Sequence, residues 1–163
     1  MEYRLGIDFG GVIAEQMLGD VAHPAAQCLA VVAPVANAFE VIGEMDNLLD
    51  GRVWIVSKAG PATESATREW LHSHGFAEHT GVPWERVLFV RERDGKLAKC
   101  QELRITHFID DQLKNLEILR PAVEHLFLFG RCPANATVVA AADWIEMGRL
   151  LRQSLRKARR RTT

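Results

Sequence analysis

Short apolar segments recur along the chain at intervals, and this recurrence is the feature that most restricts the fold. They span residues 3–8, 53–56, 87–90, 107–109 and 125–129. Each is rich in β-branched, aromatic or leucine residues and does not alternate cleanly with polar residues. Continuous apolar runs of this length are typical of strands that are covered on both faces, as in a parallel sheet.

Segments with helical character separate these strands. We predict helices over residues 35–49, 61–74, 96–103, 112–119 and 144–160. Pro34 precedes the first helix and Gly75 follows the second, which are common positions for these residue types. Asp143 and Glu146 form a capping-box-like pattern at the last helix. Strands alternating with helices predict a doubly wound α/β fold around a parallel sheet of about five strands.

The chain has 163 residues, which suits one domain with a single sizeable core. We predict an α/β domain over residues 1–148. Within it, residues 12–33 are too long for a simple strand-to-helix connection, so we expect an overhanging loop or small hairpin. Residues 149–163 contain seven basic side chains and no acidic one, and are predicted to form a basic helix end and tail.

Polar residues follow the predicted strands where these strands end. The residues concerned are Asp8, Gly10, Ser57, Lys58, Asp110, Asp111 and Gly130. In doubly wound sheets, ligands bind beyond the carboxyl ends of the strands. The sequence therefore predicts a functional site at this edge of the sheet.

The residue types at this edge suit phosphoryl transfer. Asp8 could act as a carboxylate nucleophile, and with Asp110 or Asp111 it offers the hard oxygen ligands that Mg²⁺ prefers. Gly10 and Gly11 would let the backbone come close to a ligand and direct N–H groups at it.

Two further side chains complete the predicted chemistry. Ser57 adds a hydroxyl donor, and Lys96 adds a positive charge that would stabilise the phosphoryl oxygens.

In this order, the motifs resemble those of the haloacid dehalogenase superfamily of phosphohydrolases. Asp8-Phe9-Gly10-Gly11-Val12 resembles the first motif of the family, whose leading Asp is the nucleophile. The second, third and fourth motifs are matched by Ser57, by Lys96 with Lys99 as a rival, and by Asp110 with Asp111. The resemblance implies a Mg²⁺-dependent phosphohydrolase without a large cap domain, acting on a phosphate ester or phosphonate through an aspartyl-phosphate on Asp8.

The resemblance also implies roles for individual residues. The metal would be held by Asp8, the Gly10 carbonyl and Asp111, with Asp110 in support. The phosphoryl group would be held by Gly11, Ser57, Lys58 and Lys96. The substrate would be a phosphorylated small molecule or macromolecule.

Gly10 departs from the family pattern. Most phosphatases of this superfamily carry a second Asp at this position, which protonates the leaving group and then activates water. General acid and base catalysis contributes about 10²–10⁴-fold, so its loss is costly unless another group substitutes. Glu15 and His23 are candidates, although ordinary loop residues are the simpler interpretation. The alternative to an unusual or slow hydrolase is a module that binds a phosphorylated ligand or protein partner without turnover.

Other features suggest weaker hypotheses. Arg149, Arg152, Arg156 and Arg160 form a basic stripe at helical spacing that could contact nucleic acid phosphates, although a solvated helix face explains it as well. A zinc site formed by His72, His74 and His79 is disfavoured, because the H-x-H spacing puts the first two on different helix faces and no cysteine is nearby in the sequence.

No apolar run reaches the roughly 18 residues that a membrane-spanning helix needs, and the N-terminal segment lacks the features of a secretory signal. We therefore expect a cytoplasmic protein without a membrane partner. The cysteines Cys28, Cys100 and Cys132 form no CxxC pair and are expected to be buried free thiols.

Overall fold

A computed structural model describes residues 2–16, 29–134 and 136–161. Most of the predicted overhang, including His23 and Cys28, lies outside the described residues. Near the described ends of the overhang, the Glu15 N–H donates to the Ala33 carbonyl oxygen at 3.0 Å, and Ala14 and Pro34 form an isolated antiparallel bridge.

The described part of the chain forms a parallel sheet of six strands in the order β3-β2-β1-β4-β5-β6. The strands are β1 (Leu5–Ile7), β2 (Val53–Lys58), β3 (Val87–Val90), β4 (His107–Asp110), β5 (His125–Phe129) and β6 (Val139–Ala141). The α-helices are α1 (Ala38–Leu48), α2 (Pro61–Ser73), α3 (Phe76–Thr80), α4 (Arg93–Glu102), α5 (Leu113–Leu119) and α6 (Trp144–Arg161). The doubly wound α/β fold predicted from the apolar segments is therefore confirmed.

Several predicted boundaries were wrong. The sheet has a sixth strand, β6, which is short and half exposed at the sheet edge and so lacks the continuous apolar pattern of a buried strand. The first helix begins at Ala38 rather than near Pro34, because Asn37 adopts a left-handed conformation with φ of 62°. The short helix α3 was not predicted. Helix α4 begins at Arg93 and not at the predicted Lys96, which places Lys96 inside the helix.

Apolar side chains cover both faces of the sheet. One face packs against α1 and α6, with Ile7, Ile42 and Trp144 fully buried between them. The other face packs against α4 and α5, where Phe108 and Leu116 are fully buried. Burial of each large apolar side chain stabilises the fold by about 1.5–3 kcal/mol. The two layers hold β1 in the middle of the sheet, between β2 and β4.

Two buried tryptophans tie the segments beyond β1 to the helices. The Trp144 indole N–H in α6 donates to the Val12 carbonyl oxygen at 2.7 Å, and the Trp70 indole N–H in α2 donates to the Val32 carbonyl oxygen at 2.8 Å. These bonds satisfy polar groups that burial would otherwise penalise. The first bond holds the turn that follows β1, and the second holds the segment that precedes α1. None of the helices in the described ranges is long and apolar enough to cross a membrane.

Candidate functional site

The chain turns sharply after β1 and brings Asp8 to the carboxyl edge of the sheet. The Asp8 N–H donates to the Ile109 carbonyl oxygen at 2.9 Å, which joins the end of β1 to β4. Gly11 adopts φ of 72°, and a Cβ atom there would collide with the Asp111 carboxylate. Both the backbone conformation and the close approach therefore require glycine at position 11.

The Gly11 N–H, which was predicted to hold a phosphoryl group, is engaged within the turn. It donates to the Ala14 carbonyl oxygen at 2.8 Å. Gly10 lies in the cleft beside it, and a Cβ atom at this position would meet no atom within 4 Å. A side chain at position 10 would thus project into open space.

Lys96 bridges two carboxylates at the floor of the site. Its Nζ atom donates to Asp8 Oδ1 at 3.0 Å and to Asp110 Oδ2 at 2.8 Å, and all three side chains are buried. Helix α4 aims Lys96 at the ends of β1 and β4. Lys99, one turn later, pairs instead with Glu102 at 2.6 Å on the surface of the same helix. The structure therefore places Lys96 in the site and Lys99 outside it.

The buried Asp8 and Lys96 at the floor of the site shift each other's pKa values. The pKa of Asp8 is raised to about 6: burial has the largest effect and raises it, Lys96 lowers it, and the neighbouring Asp110 and Asp111 raise it. Burial alone would lower the pKa of Lys96, but the two carboxylates outweigh burial and raise this pKa overall. The single positive charge of Lys96 therefore does not balance the three carboxylates Asp8, Asp110 and Asp111.

Asp110 is saturated with protein donors. Besides Lys96, its carboxylate accepts the Gln112 backbone N–H at 2.9 Å and the Asn115 amide at 3.0 Å and 3.2 Å. It is fully buried, so these bonds replace water. Asp110 thus positions Lys96 and the start of α5. Sequence reasoning missed Asn115, whose only signal is its place in the first turn of α5.

One carboxylate oxygen of Asp111 has no hydrogen-bond partner among the described residues. Its Oδ2 atom accepts a hydrogen bond from the Gln16 side-chain amide, while its Oδ1 atom is buried without a partner among the described residues. The Asn115 Oδ1 atom is likewise buried and unpartnered there. A buried oxygen without a partner costs about 1–3 kcal/mol, which a bound cation would offset. Burial, and then the charge of Asp110, raise the pKa of Asp111.

This donor set fits Mg²⁺. Asp8, Asp110 and Asp111 each offer a carboxylate oxygen within 4.8 Å of the others. Hard oxygen donors, excess negative charge and an unpartnered buried oxygen are the features that a small divalent cation requires. Because Asp110 is already bonded to Lys96, Gln112 and Asn115, the oxygens left for a cation come chiefly from Asp8 and Asp111.

The two other predicted site residues lie on β2, next to β1. Ser57 is buried and Lys58 is exposed, and both line a cleft of about 520 Å³ that also contains Asp8, Gly10 and Asp111. Four more cleft residues were not predicted as ligands: Gln16, Thr63, Thr67 and Lys114. Glu15 lies at the exposed rim of the same cleft.

The weaker hypotheses find less support. His74 and His79 bond through Nδ1 to backbone carbonyls of Trp70 and Gly75, one turn earlier in the chain, which is a structural role. Within the basic stripe, Arg149 pairs with Glu146 at 3.7 Å and Arg152 pairs with Glu44 at 2.8 Å. Part of the positive charge of this stripe is therefore neutralised within the protein.

The described cysteines are free thiols, as predicted. Cys100 is buried as predicted, but Cys132 is exposed, so the prediction of burial was wrong for Cys132. Burial raises the pKa of the Cys100 thiol to about 12, so this side chain acts as a small apolar core residue.

The sheet order and the two helical layers define a doubly wound α/β fold, and solved proteins of haloacid dehalogenase type share it. A haloacid dehalogenase-like hydrolase from Xanthomonas campestris superposes with a TM-score of 0.69 at 11% identity, over 97% of this chain and 98% of that one. An uncharacterised protein from Listeria monocytogenes serotype 4b gives a TM-score of 0.66 at 12% identity, over 91% and 96%. The haloacid dehalogenase-type domain of the effector Lem4 from Legionella pneumophila gives 0.53 at 12%, over 92% and 93%.

No family profile matches the chain, and no curated protein matches it in sequence. The similarity is therefore one of fold. It confirms the α/β architecture, which this chain shares with solved haloacid dehalogenase-like proteins, and the described residues contain no cap domain.

Replacement of Lys96 tests whether the floor of the site is held together electrostatically. We expect Lys96→Met to lower the free energy of unfolding by about 3–5 kcal/mol in Mg²⁺-free buffer near neutral pH, because it leaves two buried carboxylates unpaired. Lys99→Met is the matched control on the same helix, and we expect a change of about 0–1 kcal/mol because its ion pair is exposed. Urea unfolding of both variants measures the difference, and equal losses would contradict the assignment.

Proposed function

We propose that the protein is a Mg²⁺-dependent phosphohydrolase that acts through an aspartyl-phosphate on Asp8. One observation carries the proposal. Lys96 bridges Asp8 and Asp110 in a buried cluster, and the adjacent Asp111 holds an unpartnered oxygen toward which a cation would be drawn. A structural ion pair has no need of a third, unpaired carboxylate, so the arrangement favours a ligand site.

Each side chain of the site has a different role in the proposed phosphoryl transfer. Asp8 is the nucleophile, and Lys96 holds its carboxylate in place with a charge that also draws in the phosphoryl oxygens. Ser57, on the neighbouring strand, lies in the same cleft with a hydroxyl available as a donor. Asp8, the Gly10 carbonyl and Asp111 would hold Mg²⁺, which when bound would neutralise charge on the phosphoryl oxygens.

The direct test is turnover of a broad panel of phosphate esters and phosphonates by the full chain, with Mg²⁺ and with EDTA. We expect hydrolysis that requires Mg²⁺. We also expect fluoroberyllate, a mimic of the aspartyl-phosphate, to form a complex only when Mg²⁺ is present. Absence of measurable Mg²⁺ binding by calorimetry, together with absence of the fluoroberyllate complex, would contradict the proposal.

A second candidate function is binding of a phosphorylated ligand or protein partner without turnover. The open space at Gly10 favours it, since no side chain occupies the position of the family's acid and base. In this case phosphate esters would bind in the cleft in the presence of Mg²⁺ and would be recovered intact. Mg²⁺-dependent release of inorganic phosphate from any of them excludes this alternative.

A further inference from the structure

Two threonines of α2 line the cleft together with Ser57. Helix α2 follows β2 closely and begins at Pro61, so its first turns lie at the carboxyl edge of the sheet. Thr63 and Thr67 are four residues apart and therefore share one face of the helix, about 6 Å apart along its axis. One small molecule in the cleft can reach both hydroxyl groups.

The hydroxyl group of Thr67 is buried without a partner among the described residues. Thr67 is only 2% exposed. A buried helical threonine can donate to the carbonyl oxygen one turn earlier, as Thr80 does to Phe76 at 2.7 Å, but Thr67 makes no such bond. An unpaired buried hydroxyl costs free energy that valine would avoid. Packing alone therefore gives no reason for a hydroxyl at position 67.

This hydroxyl group remains accessible from the cleft. In the described part of the chain, the side-chain atoms that are fully buried and unpartnered are Arg52 Nε, Asp111 Oδ1 and Asn115 Oδ1. The Thr67 oxygen is not one of them, so the small exposed area of this residue includes its hydroxyl group. A ligand in the cleft can therefore bond to it.

The threonine pair offers neutral hydrogen-bonding groups. Arg68 and Arg91, the arginines beside the first turns of α2, both bind Glu64, at 3.0 Å and 2.8 Å. A threonine hydroxyl both donates and accepts, whereas a phosphate dianion only accepts. The pair is therefore matched to the hydroxyl groups of a ligand and not to a second phosphoryl group.

From these observations we infer that Thr63 and Thr67 form a subsite for hydroxyl groups on the leaving group of the substrate. The inference rests on the proposed function and narrows its substrate class to phosphate monoesters of polyhydroxylated compounds. With the phosphoryl group at Asp8 and Ser57, the leaving group extends along the first turns of α2. Its hydroxyl groups then exchange hydrogen bonds with the two threonines.

The first test compares two matched substrates on the full chain with Mg²⁺. Glycerol 2-phosphate and isopropyl phosphate share a carbon skeleton, and only the former carries free hydroxyl groups. We expect kcat/KM for glycerol 2-phosphate to be higher by about 10-fold or more, the scale of one or two net hydrogen bonds. A ratio near one would overturn the inference while leaving a phosphohydrolase in place. Failure of the proposed function is distinct, because then the activated ester p-nitrophenyl phosphate is not hydrolysed either.

Thr63→Val and Thr67→Val assign the preference to the threonines, because each removes a hydroxyl group and nearly keeps the shape. We expect each to lower kcat/KM for glycerol 2-phosphate by about 10-fold and to leave that for isopropyl phosphate almost unchanged. The intrinsic reactivity of the two esters is the same for every variant, so a change in their ratio reports on the subsite. An unchanged ratio in both variants would overturn the inference. So would a loss confined to phosphoglycolate, whose leaving group carries a carboxylate.

Thr80→Val is the matched control for a structural role. Thr80 is 3% exposed and lies outside the cleft, and its hydroxyl group donates to Phe76 and accepts the Val82 N–H. We expect this variant to unfold at a lower urea concentration than the parent and to keep the parental substrate ratio. Thr67→Val should unfold at the parental concentration or above. A loss of stability equal to that of Thr80→Val would show that the Thr67 hydroxyl has a partner within the protein, and would overturn the inference.

Discussion

Replacement of Asp8 by Asn should abolish turnover of every substrate that the protein hydrolyses. The amide has nearly the shape of the carboxylate but cannot form the acyl phosphate, and loss of a nucleophile of this kind reduces kcat by about 10⁴-fold or more. It also removes one carboxylate from the proposed metal site, so Mg²⁺ affinity should fall. Initial rates over the substrate panel and calorimetric titration with Mg²⁺ measure the two effects.

The same variant should be at least as stable as the parent above pH 6. The folded-state pKa of Asp8 is raised to about 6 from 3.8, chiefly by burial. The folded protein therefore binds this proton more tightly than the unfolded chain, and stability falls as the pH rises from the lower pKa to the higher one. Asn carries no charge and avoids this cost, while its side-chain oxygen can still accept from Lys96.

This combination separates function from structure. Loss of activity with stability retained in Mg²⁺-free buffer indicates that the Asp8 carboxylate is needed for catalysis and does not stabilise the fold. Residual activity close to that of the parent would show that Asp8 is not the nucleophile, and a large loss of stability would show that its charge is structural.

Replacement of Gly10 by Asp should increase the hydrolysis of alkyl phosphates. The variant adds a carboxyl group two residues after the nucleophile, where the superfamily resemblance implies an acid and base. The position has open space around a Cβ atom and no positive φ, so the backbone accepts the change. We expect kcat for glycerol 2-phosphate to rise by about 10²–10⁴-fold.

Gly10→Asn is the matched control, because it fills the same space but offers no acidic proton. Its kcat for glycerol 2-phosphate should stay at the parental value. Mg²⁺ affinity must be measured for both variants, because a new carboxylate beside Asp8 adds negative charge to the site. An equal gain in both variants would point to packing and not to proton transfer, and no gain in either would show that the absence of an acid at position 10 does not limit turnover.

The strands could be predicted largely from the sequence, because burial on both faces leaves a continuous apolar run. β3 and β5 were predicted with their observed bounds, and β1, β2 and β4 within a few residues. β6 escaped prediction because an edge strand is partly exposed and needs fewer apolar residues. The start of α1 was not predicted correctly, because it depends on the left-handed conformation of Asn37. The presence of Pro34 three residues earlier does not indicate that conformation.

The grouping of Asp8, Ser57 and Asp110 was also open to prediction. In a parallel sheet the carboxyl ends of neighbouring strands meet at one edge, so residues that follow those strands converge however far apart they are in the chain. The motif order added Lys96, and the structure brings its amine to Asp8 and Asp110.

The sequence by itself therefore determined the layered α/β fold and which strand ends carry the polar residues, because periodicity and burial are local properties of the chain. Only the tertiary structure decided that Lys96 and not Lys99 reaches the site, because this depends on how α4 is rotated against the sheet. It alone placed Gln16 on Asp111 and Asn115 on Asp110, and so left Asp111 with an unpartnered oxygen. The Gln16 contact joins segments distant in the chain, and the Asn115 contact depends on how α5 packs beside β4. Packing sets the geometry of both, and no local sequence pattern records it.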